Sequence, residues 1–291
     1  MTDKKDVGTV VQIITDSAAD FEPDELKKKG ILCVPIMVYF GDDEYEENIN
    51  LTKQQFYKLL KESSDFPTTS QPSPYAFENI LKKVRDNGDE AVIITLSSAL
   101  SGTCQSAVLA KNMLEFDSCY VVDSLNSSGG ERILAEQAVK MRDMGKSAAE
   151  IAACLEALKP RINMYVCIDT PEYLYRGGRI SHTAYKIGSL AHIKPVIHLA
   201  QDGSIEIASK PLGTKRCMDY LHKRLDRYPP DKHYPCYVMY TCIKESGQAL
   251  AEYLNERGFE IPDNHIIKVG AAVGSHIGPN AFGIVYVNQN L

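Results

Sequence analysis

Short apolar runs rich in β-branched residues recur along this chain, each followed by a polar cluster and then a segment of helical periodicity. Val10 to Thr15 is such a run and ends at Asp16-Ser17. Leu32 to Tyr39 predicts a second strand, and Gly41 to Glu44 a polar turn. Thr52 is placed to cap a helix over Lys53 to Glu62. Pro74 to Asn87 puts Phe77, Ile80, Leu81 and Val84 on one helical face. Ala91 to Leu96 predicts a strand, Gly102 to Glu115 a helix and Cys119 to Val122 a strand. Gly130 to Met144 and Ala148 to Leu158 predict two more helices. Strands alternating with helices imply a parallel sheet covered on both faces.

Pro160 marks the expected boundary between a first domain, residues 1–160, and a second, residues 161–291. Past it come a strand at Met164 to Asp169, a loop at Arg176 to Arg179 and a helix over Tyr185 to His192. A hairpin follows, Pro195 to Ala200 and Ile205 to Ser209 around the turn Gln201-Asp202-Gly203-Ser204. Thr214 is placed to cap a helix reaching Asp226. Cys236 to Thr241, Ile266 to Val269 and Gly283 to Val287 predict strands, with a helix at Glu245 to Arg257. The expected fold is therefore α/β with two domains, a parallel sheet and flanking helices first, an α+β unit second.

Composition narrows the class of protein. Of 291 residues, 44% are hydrophobic and 24% charged, as in an ordinary globular protein. The net charge of −6 argues against a nucleic-acid groove. Met1 to Val10 has no apolar core for a signal peptide, and no apolar run is long enough to span a bilayer. The eight cysteines form no CxxC pair, so free thiols in a cytoplasmic setting are expected rather than disulfides or a zinc site.

Familiar catalytic signatures are missing. Gly145-Lys146-Ser147 resembles the end of a phosphate-binding loop, but Lys140 stands where the first glycine is required, so a helix stop and restart fits better. There is no G-x-S-x-G elbow. His182, His192, His198, His222, His233 and His265 lack the spacing of metal ligands. Neither a metal nor a cofactor is expected.

What stands out is a set of hydroxyl and glycine clusters, most of them just after apolar runs. They are Asp16-Ser17, Thr68 to Ser73, Ser97 to Thr103, Asp123-Ser124 with Ser127 to Gly130, Arg176 to Arg179, and His276 to Pro279. Loops at the carboxyl ends of parallel strands meet at one crevice. Hydroxyls and backbone N–H groups there suit an oxyanion. Ser101 and Thr103 read equally well as helix caps. Thr68 to Ser73 reads as a loop with an N-cap at Ser73. Arg179 can clamp a carboxylate or phosphate, or simply be a solvated arginine in a glycine-rich turn.

At these residues the chain resembles the DegV family, whose members serve as the fatty-acid-binding subunit of bacterial fatty acid kinase. The resemblance rests on seven short pieces in order: Ile14-Thr15-Asp16-Ser17; Thr69-Ser70-Gln71-Pro72-Ser73; Ser97-Ser98-x-Leu100-Ser101-Gly102-Thr103; Val122-Asp123-Ser124; Leu174-x-x-Gly177-Gly178-Arg179-Ile180; Lys194-Pro195; and His276-x-Gly278-Pro279. Asn280 departs from the small residue usual after the last Gly-Pro. The resemblance implies one long-chain fatty acid in a tunnel. Its carboxylate would be held by Thr69 and by Ser98, with Ser97 the alternative. Arg179 and His276 would face phosphoryl transfer or the partner. It further implies a separate ATP-dependent kinase that phosphorylates the bound carboxylate, with no catalysis by this chain alone. Two rivals stay open: a Ser–His hydrolase using Ser98 and His276, and a regulatory binding module for another small acid.

Overall fold

The computed structural model describes residues 9–188 and 193–289. Four parallel strands form the first sheet: β1 (Val11–Asp16), β2 (Ile31–Val34), β6 (Glu90–Thr95) and β7 (Cys119–Asp123), in the order β2-β1-β6-β7. Consecutive residues of the central strands bury on opposite faces. Ile14, Ala91 and Ile93 meet α3 (Pro74–Asp86) and α4 (Thr103–Met113). Ile13, Val92 and Ile94 meet α5 (Gly129–Asp143) and α6 (Ala148–Leu158). Burial on both faces is why these strands read as unbroken apolar runs. The strand order reverses between β1 and β6, so the carboxyl ends of those two strands flank a crevice.

The second sheet takes its strands from beyond residue 160: β8 (Ile162–Cys167), β9 (Val196–Leu199), β10 (Ile205–Ser209), β11 (Tyr237–Tyr240), β12 (Ile266–Lys268) and β13 (Phe282–Val287). Its order is β10-β9-β8-β13-β11-β12, antiparallel except for the β11–β12 pair. One face packs on α9 (Gly213–Arg227) and α10 (Lys244–Glu256). The other joins the α5–α6 layer in one continuous apolar cluster. Gly129 opens α5 against this sheet, where a Cβ would collide with Val285.

Four segments differ from the expectation. The run Leu32 to Tyr39 is not one strand. Pro35, which lacks an N–H donor, separates β2 from β3 (Met37–Phe40), and the two lie in different sheets. The turn expected at Gly41 to Glu44 is confined to Gly41-Asp42, and the chain returns as β4 (Asp43–Glu46). Thr68–Ser70, expected as loop, is β5 and pairs with the other edge of β3. The helix expected over Tyr185 to His192 begins earlier, as α8 (His182–Gly188), and its remainder falls outside the described residues. The stop and restart at Gly145 is observed: Gly145 has φ +77° and Ser147 caps α6 in a capping box with Glu150.

A helix that the sequence does not announce joins the two halves. It is α11 (Ala271–Ile277), which packs on Phe56 and Tyr57 of α2 (Lys53–Glu62) and near β3. Its first N–H groups are received by two buried carboxylates of the first half. Gly270 N–H donates to Asp20 Oδ1 at 2.7 Å and Ala272 N–H to Glu47 Oε1 at 3.1 Å. Ser17 Oγ donates to Glu47 Oε2 at 2.6 Å, and Tyr57 OH to the Val269 carbonyl at 3.0 Å. A side chain at position 270 would collide with both carboxylates.

Burial pushes the Glu47 carboxyl up to about 7, and Asp16, which accepts from Ala18 and Leu96 N–H, likewise to about 7. Both carboxyls thus hold protons in the folded protein that the unfolded chain has released, across the interval from about pH 4.5 to 7. Stability is then greatest at the acid side of this window and falls as pH rises through it. Each group contributes up to about 1.4 kcal/mol per pH unit. Chemical denaturation of the wild type should show lower stability at about pH 8 than at about pH 5.5, and Glu47→Gln should flatten that slope. A wild type that gains stability between those two values contradicts the assignment.

Candidate functional site

A cavity lies where the crevice, α11 and the second sheet meet. It encloses about 900 Å³ of space free of protein atoms, some of it open to solvent. Most of its wall is apolar: Leu96 and Leu100 after β6, Met164, Val166, Ile197 and Leu199 from β8 and β9, Met239 from β11, Val273 and Ile277 from α11. At one end Thr69, Ser70, Gln71, Ser101, Arg179 and His276 come together from four separate stretches of chain.

Each is placed by local structure. Thr69 is half-buried on β5 opposite Val38, and its neighbours Thr68 and Ser70 are exposed. Its Oγ1 lies 2.8 Å from His276 Nε2. His276 occupies the last turn of α11, which ends at Gly278 with φ +73°. Its Nδ1 is buried without a hydrogen-bond partner and abuts Gly177, where a Cβ would collide with the ring. Burial, and after it the Arg179 charge, hold His276 down at about 4. The imidazole is therefore neutral at pH 7.

Arg179 follows the turn after α7 (Glu172–Arg176). Its Nε donates to the Leu100 carbonyl at 3.0 Å and its Nη1 to the Gly177 carbonyl. Both partners are neutral, and no carboxylate among the described residues pairs with the guanidinium. Burial lowers its pKa, yet an arginine remains charged. Of the two cations expected here, only Arg179 carries charge, because desolvation has removed it from His276.

The paired serines are not on the cavity wall. Ser97 is fully buried, and its Oγ donates to the Gly203 carbonyl at 2.9 Å while accepting from Ala99 N–H at 3.2 Å. That hydroxyl ties the β9–β10 turn to the end of β6. Ser98 is exposed, with its N–H on Asp123 Oδ1 at 3.1 Å. The serine of this cluster that lines the cavity is Ser101, whose Oγ lies 2.9 Å from Thr103 Oγ1 and accepts from Thr103 N–H at 3.3 Å at the start of α4. A hydrolytic Ser98–His276 pair is not assembled: His276 Nε2 faces Thr69, and no carboxylate orients Nδ1. His198 also lines the cavity, with Nε2 3.2 Å from Glu206 Oε2. Among the described residues no group of His, Cys, Asp and Glu has a metal-holding arrangement, and no helix is long and apolar enough to cross a membrane. All eight cysteines are unpaired.

A largely apolar cavity with hydroxyl donors and the unpaired Arg179 cation at one end has the chemistry to take an amphipathic acid. The family model that matches residues 10–289 is that of the DegV family, described as uncharacterised proteins. The chain belongs to this family. It is 31% identical over 282 residues to a DegV domain-containing protein of Caldanaerobacter subterraneus, covering 95% of this chain and 98% of that one. Among solved structures, a fatty-acid-binding DegV family protein from Thermus thermophilus superposes with a TM-score of 0.87 at 27% identity, over 97% of this chain and 100% of the other. DegV of Bacillus subtilis, a fatty acid binding protein, superposes at 0.82 with 27% identity over the same shares. A DegV lipid binding protein from Thermotoga maritima does so at 0.80 with 28% identity, over 97% and 99%.

Histidine titration by NMR tests the electrostatics, with His276→Gln to assign the signal. The His276 ring should stay neutral down to about 4, and Arg179→Leu should raise its midpoint while leaving it below the ordinary histidine value, because burial is the larger cause. A wild-type midpoint in the ordinary range would refute this account of the site.

Proposed function

We propose that this protein binds one long-chain fatty acid, with the acyl chain in the apolar cavity and the carboxylate at the Thr69–Ser101–Arg179–His276 end. The observation that carries the reading is the uncompensated Arg179 charge beside hydroxyl donors at one end of a mostly apolar wall. Each buried CH₂ contributes about 0.8 kcal/mol, so about fourteen methylenes give roughly 11 kcal/mol before ordering costs. A desolvated carboxylate needs donors, and Thr69 and Ser101 supply them beside the cation. Ser101 takes the part that the resemblance assigned to Ser98 or Ser97. The fatty acids named for the related structures support the ligand class.

In the fuller reading the chain presents this carboxylate to a separate ATP-dependent kinase in the cytoplasm and holds the acyl phosphate that results. Arg179 then faces the charge that develops on phosphoryl transfer. This role leaves the chain without catalysis of its own.

Native mass spectrometry of protein purified from a bacterial host should show about one long-chain fatty acid per chain. Apo protein that takes up no added fatty acid would refute the proposal. Thr69→Val and Ser101→Ala should each weaken binding about ten- to a hundredfold, the loss of one hydrogen bond to a charged group. Ser98→Ala should bind as wild type does. The reverse order among the serines would return the site to the paired-serine loop.

The kinase role has a separate test. Arg179→Ala should still carry fatty acid, though bound more weakly, because the acyl chain supplies most of the affinity, yet lose acyl phosphate formation altogether with a cognate kinase and ATP. Acyl phosphate formed by the wild-type chain with ATP alone would make this protein the kinase itself.

A further inference from the structure

Ser127 carries a hydroxyl that the fold leaves unused. It sits between β7 and α5 in a stretch where the neighbouring polar groups are engaged. Ser124 Oγ donates to the Asn126 carbonyl at 3.0 Å, and Asn126 Oδ1 accepts from Ser127 N–H at 3.3 Å. Ser128 Oγ donates to Asp20 and also lies 3.3 Å from Met239 Sδ. Ser127 Oγ makes no hydrogen bond to another group among the described residues. The residue is 5% exposed, and it lines the cavity. The fifteen-residue helix α5 begins two positions on, so its partial positive charge falls at the same place.

This spot lies away from the Arg179 end. Ser128 bonds to Asp20, whose other oxygen receives the N–H of Gly270 at the start of α11. His276 is six residues further along that helix, about 9 Å at the rise of an α-helix. The cavity wall in this part of the fold includes apolar residues such as Leu96, Met239, Val269 and Ala272, together with Ser128, whose hydroxyl is engaged by Asp20 and Met239. An unbroken methylene chain passing here would leave the hydroxyl buried and unpaired, which is costly. Asp20 and Glu47 flank this end, so a second anion is disfavoured and a neutral oxygen is not.

We propose that Ser127 forms a subsite for a neutral oxygen on the acyl chain, so that the cavity prefers long-chain fatty acids with one mid-chain hydroxyl or keto group. The proposal rests on the fatty-acid reading above. A serine hydroxyl both donates and accepts, so it serves an alcohol and a ketone alike.

The test uses the full delipidated chain, stearic acid, and a series of stearic acids with one hydroxyl at successive mid-chain carbons. At one position or two adjacent positions the wild type should bind the hydroxy acid about fivefold more tightly than stearic acid. Ser127→Ala should abolish that preference while binding stearic acid at least as well as wild type, which also shows that the variant is folded. Two results overturn the subsite while sparing the fatty-acid reading. One is a wild type that prefers stearic acid to every member of the series, as a water held at Ser127 would give. The other is a preference that survives in Ser127→Ala. Failure of stearic acid and of the whole series to bind overturns the fatty-acid reading and the subsite with it.

Discussion

The reception of the α11 N-terminus by Asp20 and Glu47 is the contact on which the site depends. A helix of seven residues is too short to persist alone. It is held because two buried acceptors from the first half take N–H groups that begin it, and because Tyr57 bonds the carbonyl just before it. Once fixed there, the far end of the helix carries His276 to Thr69, and its inward side closes the cavity with Val273 and Ile277. Without this clamp the two sheets would share a core but no shaped mouth.

Charge is sorted along the same helix. Asp16, Asp20, Glu47 and Glu131 are all buried around its start and the crevice behind it, and burial raises the pKa of each. At the other end the neutral His276 stands beside the charged Arg179. An acid entering the cavity therefore meets a cation at one end and, at the other, buried acids whose raised pKa values show how costly negative charge is there. That asymmetry sets the direction in which the proposed ligand lies, carboxylate toward Arg179.

Glycines make the close approaches that this arrangement needs. Gly270 admits the Asp20 and Glu47 carboxylates, Gly177 admits the His276 ring, and Gly203 admits the Ser97 hydroxyl that ties the β9–β10 turn to the first sheet. Each joins segments far apart in sequence, so each matters only in the folded protein.

The sequence by itself determined the layered architecture, because strands buried on both faces and helices buried on one carry distinct periodicities. β1, β6, β7, α3 and α6 are legible for that reason. It also marked the clusters that supply the cavity mouth, although only Ser101 follows a strand of the parallel sheet, while Thr69 lies on β5, Arg179 past α7 and His276 in α11. Tertiary structure alone decided which residue in a cluster faces the cavity. Ser97, Ser98 and Ser101 are chemically alike, yet one bonds the β9–β10 turn, one meets solvent and one lines the cavity. It alone decided that His276 is neutral, because desolvation depends on neighbours from α7 and β5 rather than on the HxGP motif. β5 and α11 escaped notice because three and seven residues are too few for a period to show, and their partners lie far away in the chain.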